Sequence, residues 1–93
     1  MINSNEYFEG KVKSLGYSTD GGTSTIGVME AGDYEFNTSS KEQMIVIEGS
    51  LDVQLAGEAD WKNYRNGDSF EVMAGSSFKV KSTGQTSYLC KYS

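Results

Sequence analysis

Gly32-Asp33-Tyr34-Glu35-Phe36-Asn37-Thr38-Ser39-Ser40-Lys41-Glu42-Gln43-Met44-Ile45-Val46-Ile47-Glu48-Gly49 is the stretch on which the reading of the fold turns. Tyr34, Phe36 and Thr38 fall on alternate positions, so they share one face of an extended segment. Met44 to Ile47 forms the apolar centre of a second strand. Where a small β-barrel often places metal ligands, this stretch holds aromatics and hydroxyls.

Outward from this centre, the chain is a run of short extended segments separated by turn residues. Upstream, Glu6 to Leu15 reads as one strand, with Phe8 and Val12 on one face and Tyr7, Lys11 and Lys13 on the other. Thr19-Asp20-Gly21-Gly22 is a strong turn signal, and Thr23 to Glu30 is a second strand with Ile26 and Val28 on one face. Downstream, Leu51-Asp52-Val53-Gln54-Leu55 alternates with period two. Ala56 to Asn66 is irregular and reads as a surface loop carrying a half-buried Trp61. Three more strands follow: Ser69 to Met73, Phe78 to Lys81, and Ser87 to Tyr92, in which Tyr88, Cys90 and Tyr92 alternate. No segment carries a helical period. Short strands at regular spacing predict a single all-β domain over residues 1–93, a sandwich or a barrel.

Composition narrows the chemistry. A chain of 93 residues buries only roughly 60–65% of its unfolded surface, so an interface with a second copy adds to a small core. Eleven Gly and no Pro leave the turns to Gly, Asn, Asp and Ser. Thirteen acidic against eight basic residues give a net charge of −5, which opposes binding of a nucleic-acid polymer. A small anion needs only a cation or a few backbone N–H groups and is compatible with that charge. The single cysteine, Cys90, forms no internal disulfide and fits a reducing cytoplasm. The N-terminal residues show no signal-peptide pattern, and no apolar run reaches membrane-spanning length. A soluble cytoplasmic protein is expected.

The chain contains no histidine. That removes the commonest general base and the commonest metal ligand, and with them a Ser-His-Asp arrangement. One Cys and scattered carboxylates do not make a zinc site of the usual kinds. The glycine spacings are more specific. From Gly67, five residues lead to Met73, one more to Gly75, two to Phe78 and three to Ser82. This resembles the second signature of the cupin barrels, with Phe78 where a metal-binding His usually stands. Glu42 followed by six residues and Gly49 matches the end of the first cupin signature, whose two His positions fall on Phe36 and Thr38.

A closer resemblance covers essentially the whole chain. The opening Ser4-Asn5-Glu6-Tyr7-Phe8-Glu9-Gly10-Lys11-Val12-Lys13-Ser14-Leu15-Gly16 and the strand Thr25-Ile26-Gly27-Val28-Met29 carry part of it. The closing Thr86-Ser87-Tyr88-Leu89-Cys90-Lys91-Tyr92, the Gly32–Gly49 centre and the Asp60-Trp61 pair carry the rest. Together they resemble the small bacterial pyrimidine/purine nucleoside phosphorylases. A departure is Met73-Ala74-Gly75, where that family leads us to expect a Pro-Gly turn. The resemblance implies a cupin-like β-barrel of jelly-roll type and a homodimer. It further implies cleavage of nucleosides by inorganic phosphate, as co-substrate and without a metal or other cofactor, to free base and ribose 1-phosphate. A non-catalytic cupin that binds a small metabolite is the alternative.

Phosphorolysis passes through an oxocarbenium-like ribosyl centre, so the site must align phosphate with C1′ and stabilise charge on sugar and base. A slot that holds the base by stacking suits a broad substrate range. Glu42 is the candidate catalytic residue: pointing inward, it offsets the sugar's charge or accepts ribose hydroxyls, and pointing outward it is an ordinary solvated carboxylate. Tyr34, Phe36, Phe78, Tyr88 and Tyr92 are the candidate substrate-binding aromatics; each also reads as core packing, the two phenylalanines more so than the tyrosines, whose hydroxyls need a partner. Thr38 and Ser39 are candidates for phosphate or ribose contact, or for capping a turn. Lys79, Lys81 and Lys91 are expected to face out, Cys90 to be buried and unreactive, and the phosphate-binding residues stay unassigned.

Overall fold

The computed structural model describes residues 2–93, and these form an all-β structure. The strands are β1 (Asn3–Tyr7), β2 (Val12–Thr19), β3 (Gly22–Met29), β4 (Gly32–Asn37), β5 (Glu42–Glu48), β6 (Ser50–Leu55), β7 (Lys62–Arg65), β8 (Ser69–Val72), β9 (Ser77–Ser82) and β10 (Thr86–Tyr92). They pair antiparallel into two sheets, β1-β2-β3-β10-β5-β8 and β4-β9-β6-β7. Hydrogen bonding among the described residues does not close the two sheets into one barrel; the architecture is an open, two-layered sandwich. No helix among the described residues is long and apolar enough to cross a membrane.

The core lies between the layers and follows from alternation. From the six-stranded sheet come Val12, Met29, Met44, Val46, Phe70, Val72, Tyr88 and Cys90; from the four-stranded sheet come Tyr34, Leu51, Val53, Phe78 and Val80. Burying each such aliphatic side chain contributes roughly 1.5–3 kcal/mol relative to exposure. Aromatics run through this core as a chain of ring contacts. Tyr64 meets Phe70 at 4.8 Å, Phe70 meets Phe78 at 5.8 Å, and Phe78 stacks on Phe36 at 5.4 Å.

The expected strand Glu6 to Leu15 is two strands. β1 and β2 form a hairpin whose turn, Tyr7-Phe8-Glu9-Gly10, is closed by the Gly10 N–H donating to the Tyr7 carbonyl at 3.2 Å. Phe8, Glu9 and Gly10 have φ of 54°, 59° and 85°, and the Lys11 N–H donates to the Phe8 carbonyl at 3.2 Å. Tyr7 and Val12 are therefore joined by a four-residue left-handed connection rather than a two-residue hairpin loop. The expected loop at 56–66 likewise contains β7, which pairs with β6 from Ser50↔Arg65 to Val53↔Lys62. Trp61 lies just before it, under the Lys81 ammonium at 4.3 Å.

Candidate functional site

A cleft of about 440 Å³ opens between the two sheets, within the range that holds small-molecule ligands. Its two walls differ in chemistry. Phe36 and Phe78 of the four-stranded sheet, joined by Phe8 from the β1–β2 turn, make an aromatic wall. The six-stranded sheet supplies Tyr7, Ser14, Thr25, Glu42, Met44, Tyr88, Cys90 and Tyr92 to the facing wall, which is the more polar of the two. Adjacent strands put these groups side by side: Tyr92 pairs with Glu42, and Cys90 lies between Met44 and Thr25. Tyr88 lies across β3 at Gly27, where any Cβ would meet its ring at 2.4 Å. Glu35 and Asn37 reach the rim from the exposed side of β4.

Glu42 is half-buried and faces the cleft. The Cys90 thiol donates to its Oε1 at 3.3 Å, and among the described residues that thiol is its one side-chain donor. Burial raises the Glu42 carboxyl above its ordinary range, and the thiol hydrogen bond opposes this only in part. Burial also pushes the Tyr92 phenol and the Cys90 thiol up to about 12 and raises the Tyr88 phenol strongly. All three therefore stay protonated at neutral pH and act as neutral donors. The Thr25 and Tyr92 hydroxyls lie 3.3 Å apart, so the polar wall carries a linked pair of hydroxyls beside the carboxylate.

Of the sequence candidates, Glu42, Phe36, Phe78, Tyr88 and Tyr92 come together around this cleft. Tyr34, Thr38 and Ser39 do not line it. The Tyr34 hydroxyl donates to the Glu30 carbonyl at 2.7 Å, which satisfies it within the fold. The Thr38 hydroxyl donates to the Met73 carbonyl at 2.7 Å and accepts from the Ser76 N–H at 2.9 Å. Thr38 thus ties down the Met73–Ser76 turn in which Met73-Ala74 stands in place of Pro. Ser39 is exposed on the connection between β4 and β5.

Sequence reasoning missed Tyr7, Phe8, Ser14, Thr25 and Met44 as lining residues, along with Cys90 as the partner of Glu42. Lys79, Lys81 and Lys91 face solvent as alternation requires. None of the eight Lys and Arg side chains lines the cleft. Several are engaged elsewhere: Lys13 with Glu6 at 3.6 Å, Lys41 with Glu71 at 3.4 Å, and Arg65 with Asn63 at 3.1 Å. Among the described residues no three His, Cys, Asp or Glu side chains gather as a metal site.

Comparison with known proteins adds a family and a fold. Residues 2–92 match the family model described as pyrimidine/purine nucleoside phosphorylase. A protein of Photobacterium profundum bearing that name is 50% identical over 92 residues, covering 99% of this chain and 99% of its own. Another so named, from Aeromonas salmonicida, is 51% identical and covers 99% of this chain and 98% of its own. Among solved structures, a Vibrio parahaemolyticus protein of unknown function is 45% identical with a TM-score of 0.97, covering 100% of this chain and 99% of its own. A cupin from Shewanella frigidimarina shares the fold alone, at 16% identity and a TM-score of 0.77, covering 99% of this chain and 83% of its own.

Proposed function

This chain belongs to the pyrimidine/purine nucleoside phosphorylase family, and on that premise we propose that the inter-sheet cleft is where it cleaves nucleosides with inorganic phosphate. The enzyme is a nucleoside phosphorylase. Hydrogen phosphate attacks C1′, the C1′–N bond breaks with its electron pair leaving on the base, and the proton from hydrogen phosphate ends on the base. Free base and ribose 1-phosphate result. The observation that carries the placement is the two-sided cleft, aromatic on one wall and hydroxyl- and carboxylate-bearing on the other.

The aromatic wall gives the base a stacking surface that does not depend on its hydrogen-bonding pattern, which suits both purines and pyrimidines. Glu42, under-solvated and opposite that wall, meets the positive charge that develops on the ribosyl ring. Ser14, Thr25 and Tyr92 offer neutral hydroxyls to phosphate and ribose. Phosphate is the only co-substrate, and no metal or other cofactor takes part: Phe36 and Thr38 stand where the cupin signature has histidines. Incubating the purified protein with uridine or adenosine, with and without phosphate and with a chelator, tests this. Base released only with phosphate, and undiminished by the chelator, is the expected result. Nucleoside bound without phosphate-dependent release would mean a metabolite-binding module instead.

The chain acts as one cupin-like domain over residues 1–93, its sheets an opened jelly roll, and works in the cytoplasm as a homodimer. Leu15 (51% exposed), Ile26 (43%), Val28 (49%) and Ile47 (45%) support the dimer. They lie on the outer face of the six-stranded sheet, where the register aligns Leu15, Ile26, Leu89 and Ile45 in a row across four strands. A monomer leaves that row in water. The wild-type protein is expected to sediment as a dimer and Ile26→Asp as a folded monomer. A wild-type monomer at micromolar concentration ends the dimer reading.

A further inference from the structure

The Phe8-Glu9 turn is the one place where non-glycine residues take left-handed backbone among the described residues. For a bulky side chain this conformation is a genuine outlier, and such outliers gather at functional sites. Left-handed backbone is most easily supplied by Gly or Asn, so the hairpin alone gives no reason for Phe at this position. The ring explains it. Phe8 crosses from the turn of the six-stranded sheet to the other layer, where it meets Tyr34 at 5.0 Å and stands edge-on to Phe36 at 5.5 Å. It nevertheless remains 42% exposed and lines the cleft. Part of its free surface therefore borders the same cleft as Glu42 and Tyr88.

We propose that Phe8 is a base-contacting residue that sets specificity, the strained turn holding its ring as the outer part of the surface on which the nucleobase stacks. This rests on the phosphorolysis reading above. Purines, with two fused rings, cover more of Phe8 than pyrimidines do and depend on it more. Because Phe8 comes from a hairpin and the rest of the aromatic wall from β4 and β9, the turn also sets the width of the slot.

The ring and the turn can be separated. Phe8→Asn/Glu9→Gly places residues that tolerate left-handed backbone at both positions and removes the ring, so the hairpin is kept while the stacking surface is lost. Glu9→Gly alone relaxes the turn and keeps the ring. Loss of one stacking contact is expected to raise KM for adenosine roughly tenfold, with a smaller rise for uridine and none for phosphate. Glu9→Gly is expected to hold wild-type KM values for both nucleosides and to keep the wild-type Tm or exceed it. The double variant is expected to stay folded with a modestly lower Tm, relief of the strained backbone offsetting part of the lost ring contacts with Tyr34 and Phe36. A double variant that folds and keeps wild-type KM for both nucleosides overturns the proposal, as does an equal loss in KM for phosphate. If the wild-type protein binds adenosine by calorimetry but releases no base, the phosphorolysis reading fails by itself and Phe8 is judged on Kd: a tenfold weakening in the double variant supports it and an unchanged Kd overturns it. A wild-type protein that neither binds nor cleaves nucleosides overturns both.

Discussion

Glu42→Gln is expected to fold as the wild type does and to lose at least about two orders of magnitude in turnover, the scale seen when one preorganised electrostatic partner is removed from a site. The substitution is nearly isosteric, and the amide oxygen still accepts the Cys90 thiol that now lies 3.3 Å from Oε1. What disappears is the negative charge opposite the aromatic wall. Stability should move the other way. Burial raises the Glu42 pKa in the fold, so the ionised carboxylate opposes folding at neutral pH, and this opposition is relieved as pH falls through the folded pKa. Glutamine never carries that charge. The variant should therefore match or exceed the wild-type Tm near pH 7, with its advantage shrinking on acidification. The wild-type turnover should fall on the acid side at a pH above the ordinary glutamate range of about 4.3, because the ionised form is the active one. Two measurements decide it: kcat against pH for the wild type, and kcat with Tm for the variant. Wild-type turnover in Glu42→Gln sinks the assignment, and so does a collapse in Tm large enough to account for the lost activity.

Glu42 also marks how far the sequence could be read. Spacing to Gly49 singled it out, and the inward alternation of Tyr34, Phe36 and Thr38 was correct. The ten-residue stretch from Glu6 to Leu15 misled because alternation continues through the hairpin turn: Phe8 and Val12 keep the same parity, and Phe-Glu carries none of the turn chemistry that Asn-Gly would. Lys62-Asn63-Tyr64-Arg65 gave no strand signal because only Tyr64 turns to the core, where it meets Phe70. Ile26 and Val28 were legible as one face, but the apolar side of β3 is its outer side, and the inner side is left to Thr25, Gly27 and Met29. The Cys90–Glu42 contact joins residues 48 apart through the pairing of β10 with β5, which no local pattern encodes. Tyr34 and Thr38 share a face with Phe36, yet their hydroxyls are taken up by backbone carbonyls of neighbouring turns. Alternation fixes the face of a strand. It does not say which position along that face meets the cleft.

Gly27→Ala should be strongly damaging, for a reason unrelated to backbone freedom. Gly27 sits opposite Tyr88 on β10 and Ser14 on β2, and a Cβ there would lie 2.4 Å from the Tyr88 Cζ and 2.5 Å from its hydroxyl oxygen. Those separations are far inside van der Waals contact, so something must move. β3 is held by two hydrogen-bonded neighbours, β2 and β10, and cannot retreat. The Tyr88 ring can leave Gly27 only by turning into the cleft it now borders. Overpacking of this kind costs typically 1–3 kcal/mol, which for a domain of this size lowers Tm by roughly 4–20 °C. The displaced ring would also occupy volume that the nucleoside needs, so KM should rise along with the loss of stability. The two effects share one cause, and a double-mutant cycle exposes it. In a Tyr88→Leu background there is no ring to displace, and Gly27→Ala should cost much less stability than in the wild type, the difference being the coupling between the two sites. Equal losses of Tm in both backgrounds would show that the glycine is needed for something other than room for Tyr88, and the proposed link between β3 packing and the shape of the cleft would fall with it.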